Sequence, residues 1–279
     1  MKKNLFLIPL LLLSLNTTSC SKDNSKVIQI ACSQKPHAEI LNDVCKEALK
    51  KEGYELKVTV LDWTLQNDAT YNGEYDGNYF QHRPYLQQFD SETNVYSTSY
   101  TYTKLFPAVT VHFEPLRIYE GKKKASEFES IKKTATYCIC NDTSNEIRAL
   151  DLLVEAGVID SYDVDKDNNP TNLPSNIVPL SESELALAIA DYDYGVLPVN
   201  SALTGGLTAS DSLPSENDTV ADKNANVLAL NVKKYNSDTT YKTKMDALCD
   251  VLLSNDVSSY IKTTYKGVIQ SYQKDLRTK

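Results

Sequence analysis

The feature that most constrains the fold is a repeated change of hydrophobic period along the chain. Short apolar or alternating runs stand at VIQIA (27–31), LKVTVL (56–61), AVTVHF (108–113), ATYCIC (135–140), GVLPV (195–199) and NVLALNV (226–232). Their lengths and patterns predict strands. Between them the spacing becomes helical: Ala38, Leu41, Cys45, Ala48 and Leu49 behind Pro36, then Ile147, Leu150, Leu153 and Val154 before Gly157. Strands alternating with helices predict an α/β sheet.

Two helix starts carry capping-box spacing, Thr143 with Glu146 and Ser181 with Glu184. From Thr239 to Tyr272 two more amphipathic stretches follow, around Met245, Leu248, Val251 and Leu252, then Val257, Tyr260 and Ile261. Residues 163–176 and 208–224 read as loops. The first places Asp163, Asp165 and Asp167 at calcium-loop spacing, but Asn168 and Pro174 stand where such a loop needs Gly and Glu. A turn-rich loop is the reading.

The first residues, MKKNLFLIPLLLLSLNTTSC, combine Lys2 and Lys3 with an apolar run from Leu5 to Leu15. That run is shorter than the roughly 20 residues a membrane span needs, so residues 1–19 read as a removable signal peptide. Cys20 then stands where a bacterial lipoprotein is lipidated; the alternative is an ordinary secretory peptide followed by a free cysteine. Removing residues 1–19 takes two of the 29 basic residues and none of the 37 acidic ones, leaving a formal charge of -10. Such a chain lacks the basic footprint that nucleic-acid binding requires.

Besides Cys20 there are five cysteines, Cys32, Cys45, Cys138, Cys140 and Cys249, with no C-x-x-C or zinc-ribbon spacing. Cys138 and Cys140 fall on one face of a strand and read as small buried hydrophobes. No nucleophile elbow, H-E-x-x-H or phosphate loop is present. A metal site would have to recruit His37, His82 and His112 from three distant segments plus a carboxylate, and no metal ligand is assigned.

Arg148 lies early in the helix opening near Thr143, where the helix dipole favours anions. A ligand carboxylate, held bidentately with help from Asn145, gives that cation a purpose. The alternative is a surface arginine paired with Asp151 or Glu155. In YFQHRPYL (79–86), Phe80 and Tyr85 can wall an apolar pocket while Gln81 and His82 supply hydrogen bonds. The alternative there is a packed aromatic turn.

These stretches, with PHAEIL (36–41), D-x-N-Y-F-Q-H-x-P-Y-L (76–86), H-F-E-P-L-x-I-Y (112–119), N-D-x-x-N-x-x-R-A-L (141–150) and YKGVI (265–269), resemble a known family. It is that of the methionine-binding lipoproteins of bacterial methionine ABC importers, the MetQ/NlpA type. The resemblance runs from about Val27 to Tyr272. It implies an α/β, two-lobed periplasmic-binding-protein fold of type II-like form, with a ligand cleft between lobes joined by two strand crossings. The crossings are expected near Phe113 to Leu116 and Lys223 to Val227. Lobe 1 is then 27–113 plus 225–279 and lobe 2 is 114–224, behind a signal peptide (1–19) and a lipidated tether (20–26).

Carried over by position, the resemblance implies that Arg148 binds the ligand carboxylate, Asn145 assists, and Phe80 and His82 line the pocket, with Phe80 on the thioether. His112 would face the cleft. Trp63 stands where the family usually has tyrosine and would form an enlarged aromatic wall. A family asparagine falls on Asn200 or on Pro198. Pro84 and Tyr85 would shape the turn, and Arg83 would be solvated. The resemblance also implies a monomer, lipid-anchored at Cys20 on the extracytoplasmic face of the cell membrane, that delivers methionine to a permease and its ATPase. It implies no catalysis and no cofactor. Two alternatives stay open: a different small amino acid or a Met-containing dipeptide as ligand, and a non-transport surface adhesin or scaffold, suggested by the 18 tyrosines.

Overall fold

In the computed structural model, residues 24–91, 93 and 96–277 are described, so the signal segment and Cys20 lie outside the described residues. The first half of the chain builds β1 (Val27–Cys32), helical turns leading to α1 (Lys46–Lys51), β2 (Glu55–Val60), α2 (Trp63–Tyr71), β3 (Gly77–His82), α3 (Arg83–Ser91) and β4 (Leu105–Phe113). Next come β5 (Leu116–Glu120), α4 (Phe128–Ile131), β6 (Tyr137–Cys140), α5 (Thr143–Glu155), the two-residue strands β7 (Asp163–Val164) and β8 (Pro170–Thr171), and β9 (Ile177–Leu180). The rest comprises α6 (Glu182–Ala188), β10 (Tyr194–Pro198), α7 (Val199–Thr204), α8 (Ala221–Asn224), β11 (Asn226–Asn231), α9 (Val232–Ser237), α10 (Thr239–Leu252), α11 (Asn255–Tyr265) and β12 (Gln270–Asp275).

Two main sheets result. One has six strands in the order β12-β4-β11-β3-β1-β2, the other four in the order β5-β10-β6-β9. The chain passes from the first sheet to the second between Phe113 and Leu116, and rejoins the first at Asn226. Each sheet has its own apolar core. On the first, Ile28, Ile30, Leu41 and Leu49 pack with Met245, Leu248 and Leu252 of α10. On the second, Tyr137, Ile139 and Val196 pack against Leu150 and Leu153 of α5. The spacing of those α10 and α5 residues places them on one helical face, which is why both helices lie flat on their sheets.

All six strand runs appear as strands. The sequence reading missed β3, β5, β9 and β12, and the two-residue strands β7 and β8. YFQH, weighed as a packed turn, is instead the end of β3, buried along its whole length between β1 and β11. A strand covered on both faces carries no polar alternation, so its period is hidden. The last strand, β12, is polar because it forms an edge, paired only with β4.

The helix starts need correction. The cap of α5 is Asp142, one residue before Thr143, and its Oδ1 accepts from the Asn145 amide at 3.1 Å. Ser181 does precede α6 but makes no capping hydrogen bond; its hydroxyl meets Ser183 Oγ instead. The 163–176 loop folds as a small hairpin in which Asp165 Oδ1 accepts from the amides of Asp167 and Asn169. Cys138 and Cys140 are both buried on β6, as the reading of small hydrophobes expects. Tyr79, Tyr119, Tyr137 and Tyr194 are buried, so these tyrosines serve the cores rather than an adhesive surface.

Candidate functional site

The ends of β3, β4, β10 and β11 and the start of α5 converge between the two sheets on a small chamber. Trp63, Phe80, His82, Tyr85 and Asn226 line it from the six-stranded side. Asn145, Arg148, Glu182, Pro198 and Asn200 line it from the other, and Glu114 lies in the passage between sheets. The chamber measures about 40 Å³, room for a water or two. It shares Trp63, Glu182 and Asn200 with an outer cavity of about 390 Å³. Admitting an amino acid to the inner chamber therefore requires the two sheets to part or lining side chains to swing.

The aromatic wall is centred on Tyr85. Its ring meets Trp63 edge-on at 5.4 Å, Phe80 at 5.8 Å and His82 at 6.5 Å between centroids. Tyr85 thus borders the chamber rather than only shaping a turn. Trp63 is placed by Asp62, which caps α2 by accepting from the Thr64 amide at 2.9 Å.

His82 Nε2 bonds Asn145 Oδ1 at 2.9 Å, and its Nδ1 accepts from the Tyr85 amide at 3.3 Å. Asn145 directs its amide nitrogen to Asp142 Oδ2, so its oxygen faces His82 and the histidine proton sits on Nε2. Burial, aided by the nearby Arg148 charge, holds this imidazole down to about 3, so it is neutral near pH 7.

Arg148 is buried, as a ligand-binding cation in a cleft should be, but its fork is already engaged. Nε and Nη2 donate to Glu216 at 3.0 and 2.6 Å, Nη2 also reaches the Glu114 carbonyl at 3.2 Å, and Nη1 donates to Asn145 Oδ1 at 3.0 Å. Of its five N–H groups, one on Nη1 is left. The pairing is neither with Asp151 nor with Glu155. Bidentate capture of a ligand carboxylate requires Glu216 to move; otherwise Arg148 offers a single N–H. Glu216 is held in turn by the Leu116 amide, because Pro214 to Glu216 runs along the edge of β5.

His112 does not line the chamber. It is fully buried behind the floor, with Nδ1 at 2.5 Å from Tyr79 Oη and Nε2 at 2.6 Å from Glu114 Oε1. The side chain two residues on, Glu114, reaches the cleft in its place. Burial raises Glu114 to about 7, against the pull of His37 and Arg148. Glu182 is likewise raised to about 7, chiefly by burial, while accepting from Ser201 Oγ at 2.6 Å. Asn200 and Pro198 both border the chamber, and Asn200 Oδ1 is buried without a hydrogen-bond partner. Arg83, expected in solvent, donates to Asp222 Oδ2 at 2.7 Å.

Glu114, Glu182, Asn226 and Glu216 escaped the sequence reading. Glu114 had a signal, an acid at the end of the apolar run AVTVHF; Glu216, in a loop, had none. Among the described residues, two side-chain groups have metal-compatible composition: His37, His112 and Glu114, and Cys140, Asp142 and Glu182. The second is compromised because Asp142 already caps α5 and accepts the Cys140 thiol at 2.7 Å.

Comparison with known proteins adds a lineage. The family model described as NlpA lipoprotein matches residues 28–272. The Bacillus subtilis methionine-binding lipoprotein MetQ is 32% identical over 96% of this chain and 98% of its own. A nutrient binding protein from Burkholderia cenocepacia, solved bound to methionine, superposes with a TM-score of 0.71 at 25% identity, covering 88% of this chain and 99% of that one. The substrate binding protein of a methionine transporter from Streptococcus pneumoniae gives 0.75 at 25% identity, over 88% and 96%.

Proposed function

The chain belongs to the NlpA lipoprotein family, and from that premise we propose that it is a substrate-binding lipoprotein that captures methionine and delivers it to an ABC importer. The observation that carries this reading is that, on one side of the chamber, Arg148 keeps an N–H outside its hydrogen bonds and Asn200 Oδ1 has no partner, opposite the wall formed by Trp63, Phe80 and Tyr85. A zwitterion with a thioether side chain fits that set. Arg148 takes the carboxylate, Asn200 with Glu114 or Glu182 takes the ammonium, and the sulfur lies against Phe80.

In this reading the lobes are 27–113 with 225–279, and 114–224, closing on the ligand. Lipidation at Cys20 anchors the protein outside the cytoplasmic membrane, where a permease and its ATPase receive the ligand from a monomeric receptor. Among the described residues no helix is long and apolar enough to cross a membrane. The protein performs no chemistry on its ligand. A thermal-shift screen of amino acids tests this reading. Methionine at 100 times its dissociation constant should add about 2.7 kcal/mol of stability, and a screen without any stabiliser would refute it.

A second reading is favoured by the outer cavity beyond Trp63. Once the chamber opens, a Met-containing dipeptide can place one residue in it and the other in that cavity, so dipeptides belong in the same screen.

A further inference from the structure

Beneath the chamber floor, three side chains from separate strands and turns turn their donor atoms toward one another. His37 comes from the turn after β1, His112 from β4, and Glu114 from the passage that follows. One donor atom from each lies within 4.8 Å of the others, and all three side chains are buried. Glu114 Oε1 is 2.6 Å from His112 Nε2 and 3.6 Å from His37 Nε2. Asn226 Oδ1, the first side chain of β11, stands 3.0 Å from His37 Nε2.

We infer that His37, His112 and Glu114, completed by Asn226, form a binding site for a divalent transition metal of the zinc class at the floor of the cleft. Two imidazoles and one carboxylate are a common donor set for such ions. Metal–ligand bonds of about 2.0–2.2 Å place tetrahedral donors roughly 3.4 Å apart. The His37–Glu114 separation already suits this, and the His112–Glu114 contact must lengthen by somewhat under 1 Å. Glu114 and Asn226 border the chamber, so the ion has a way in and an open side toward the cleft.

The surroundings supply part of what a metal site needs. Each imidazole must present Nε2 without a proton, which then sits on Nδ1 and needs an acceptor. For His112 that acceptor is Tyr79 Oη at 2.5 Å, which can accept as well as donate. For His37, Nδ1 is at present a buried atom without a hydrogen bond. Binding thus moves one proton within each ring and leaves both neutral; a protonated Glu114 releases its proton to water. Arg148, which donates to the Glu114 carbonyl, is neutralised by its pair with Glu216.

The test uses the purified lipoprotein, stripped with a chelator and dialysed against micromolar Zn²⁺, with bound metal measured by elemental mass spectrometry. Co²⁺ serves as an optical probe in parallel. The expected result is one equivalent of Zn²⁺ and the visible absorption of four-coordinate Co²⁺. Glu114→Gln, which keeps the side-chain shape, and His112→Ala should each weaken uptake by at least about 10–100-fold, the loss that even outer-shell partners of a metal cause. No uptake by the unaltered protein would overturn the inference without any variant. Uptake that persists in both variants, as expected of the cysteines or surface carboxylates, would overturn it as well. Methionine capture is read separately by thermal shift, so either reading can fail while the other stands.

Discussion

His82 and Asn145 meet across the cleft: His82 Nε2, at the end of a strand of the six-stranded sheet, donates to Asn145 Oδ1, in the first turn of the helix that covers the other sheet, at 2.9 Å. Because Arg148 Nη1 donates to the same oxygen, one carbonyl ties the aromatic wall to the cationic end of the site. His82→Ala should weaken methionine binding by the worth of one buried hydrogen bond, about 0.5–1.5 kcal/mol. Calorimetric titration checks this, and an unchanged affinity would show that the contact is not part of the bound state.

Asn200 offers a cleaner separation of binding from folding. Its buried Oδ1 has no partner in the protein, so Asn200→Ala should leave the urea unfolding midpoint close to that of the unaltered chain. Affinity for methionine should nevertheless fall by about 1.5–3 kcal/mol, the usual range for a hydrogen bond to a charged group. A loss of stability with no loss of affinity would contradict the assignment.

Arg148 and Glu216 form a buried pair, with side chains 5% and 7% exposed. Arg148→Ala leaves the carboxylate of Glu216 in a dry pocket and should cost roughly 3–5 kcal/mol of stability. Adding Glu216→Gln to that variant should return part of the loss, because the uncompensated charge is gone. Urea unfolding of both singles and the double closes the cycle; additive losses would mean that the pair is not coupled.

Glu182 sets a pH dependence. Burial holds its carboxyl up at about 7 when folded, against an ordinary 4.5, while Asp142 and Glu114 add repulsion and Arg148 and Ser201 oppose it. The folded chain therefore keeps this proton longer than the unfolded chain, so stability is lost as pH rises through about 4.5 to 7. Glu182→Gln should remove that part of the decline. The comparison is urea unfolding at pH 5 and pH 8, and equal pH differences in both proteins would refute it.

Trp63 borders both the chamber and the outer cavity and packs on Tyr85. Trp63→Ala should merge the two spaces. Affinity for free methionine should then drop more than affinity for a Met-containing dipeptide, measured side by side by competition. Equal drops would assign Trp63 a structural role only.

Much of this was readable in the residues. The six apolar runs appeared as strands because the hydrophobic period is a local property that survives in isolation. Arg148 drew attention for a local reason too, a cation where the helix dipole favours anions. The caps were less legible: Thr143 and Asp142 are both competent capping residues, and only the backbone geometry of α5 selects Asp142.

What the sequence alone determined was composition by layer: which stretches are strands, which helices lie on them, and which motifs belong to the lipoprotein family. The tertiary structure decided which distant groups became neighbours. Glu216 reaches Arg148 over 68 residues, Asn226 reaches His37 over 189, and Glu114 rather than His112 faces the cleft. The reason is physical. A local pattern fixes which face of an element is apolar, but a buried charge takes whatever partner the packing of the sheets brings within hydrogen-bonding reach, and sequence spacing does not record that distance.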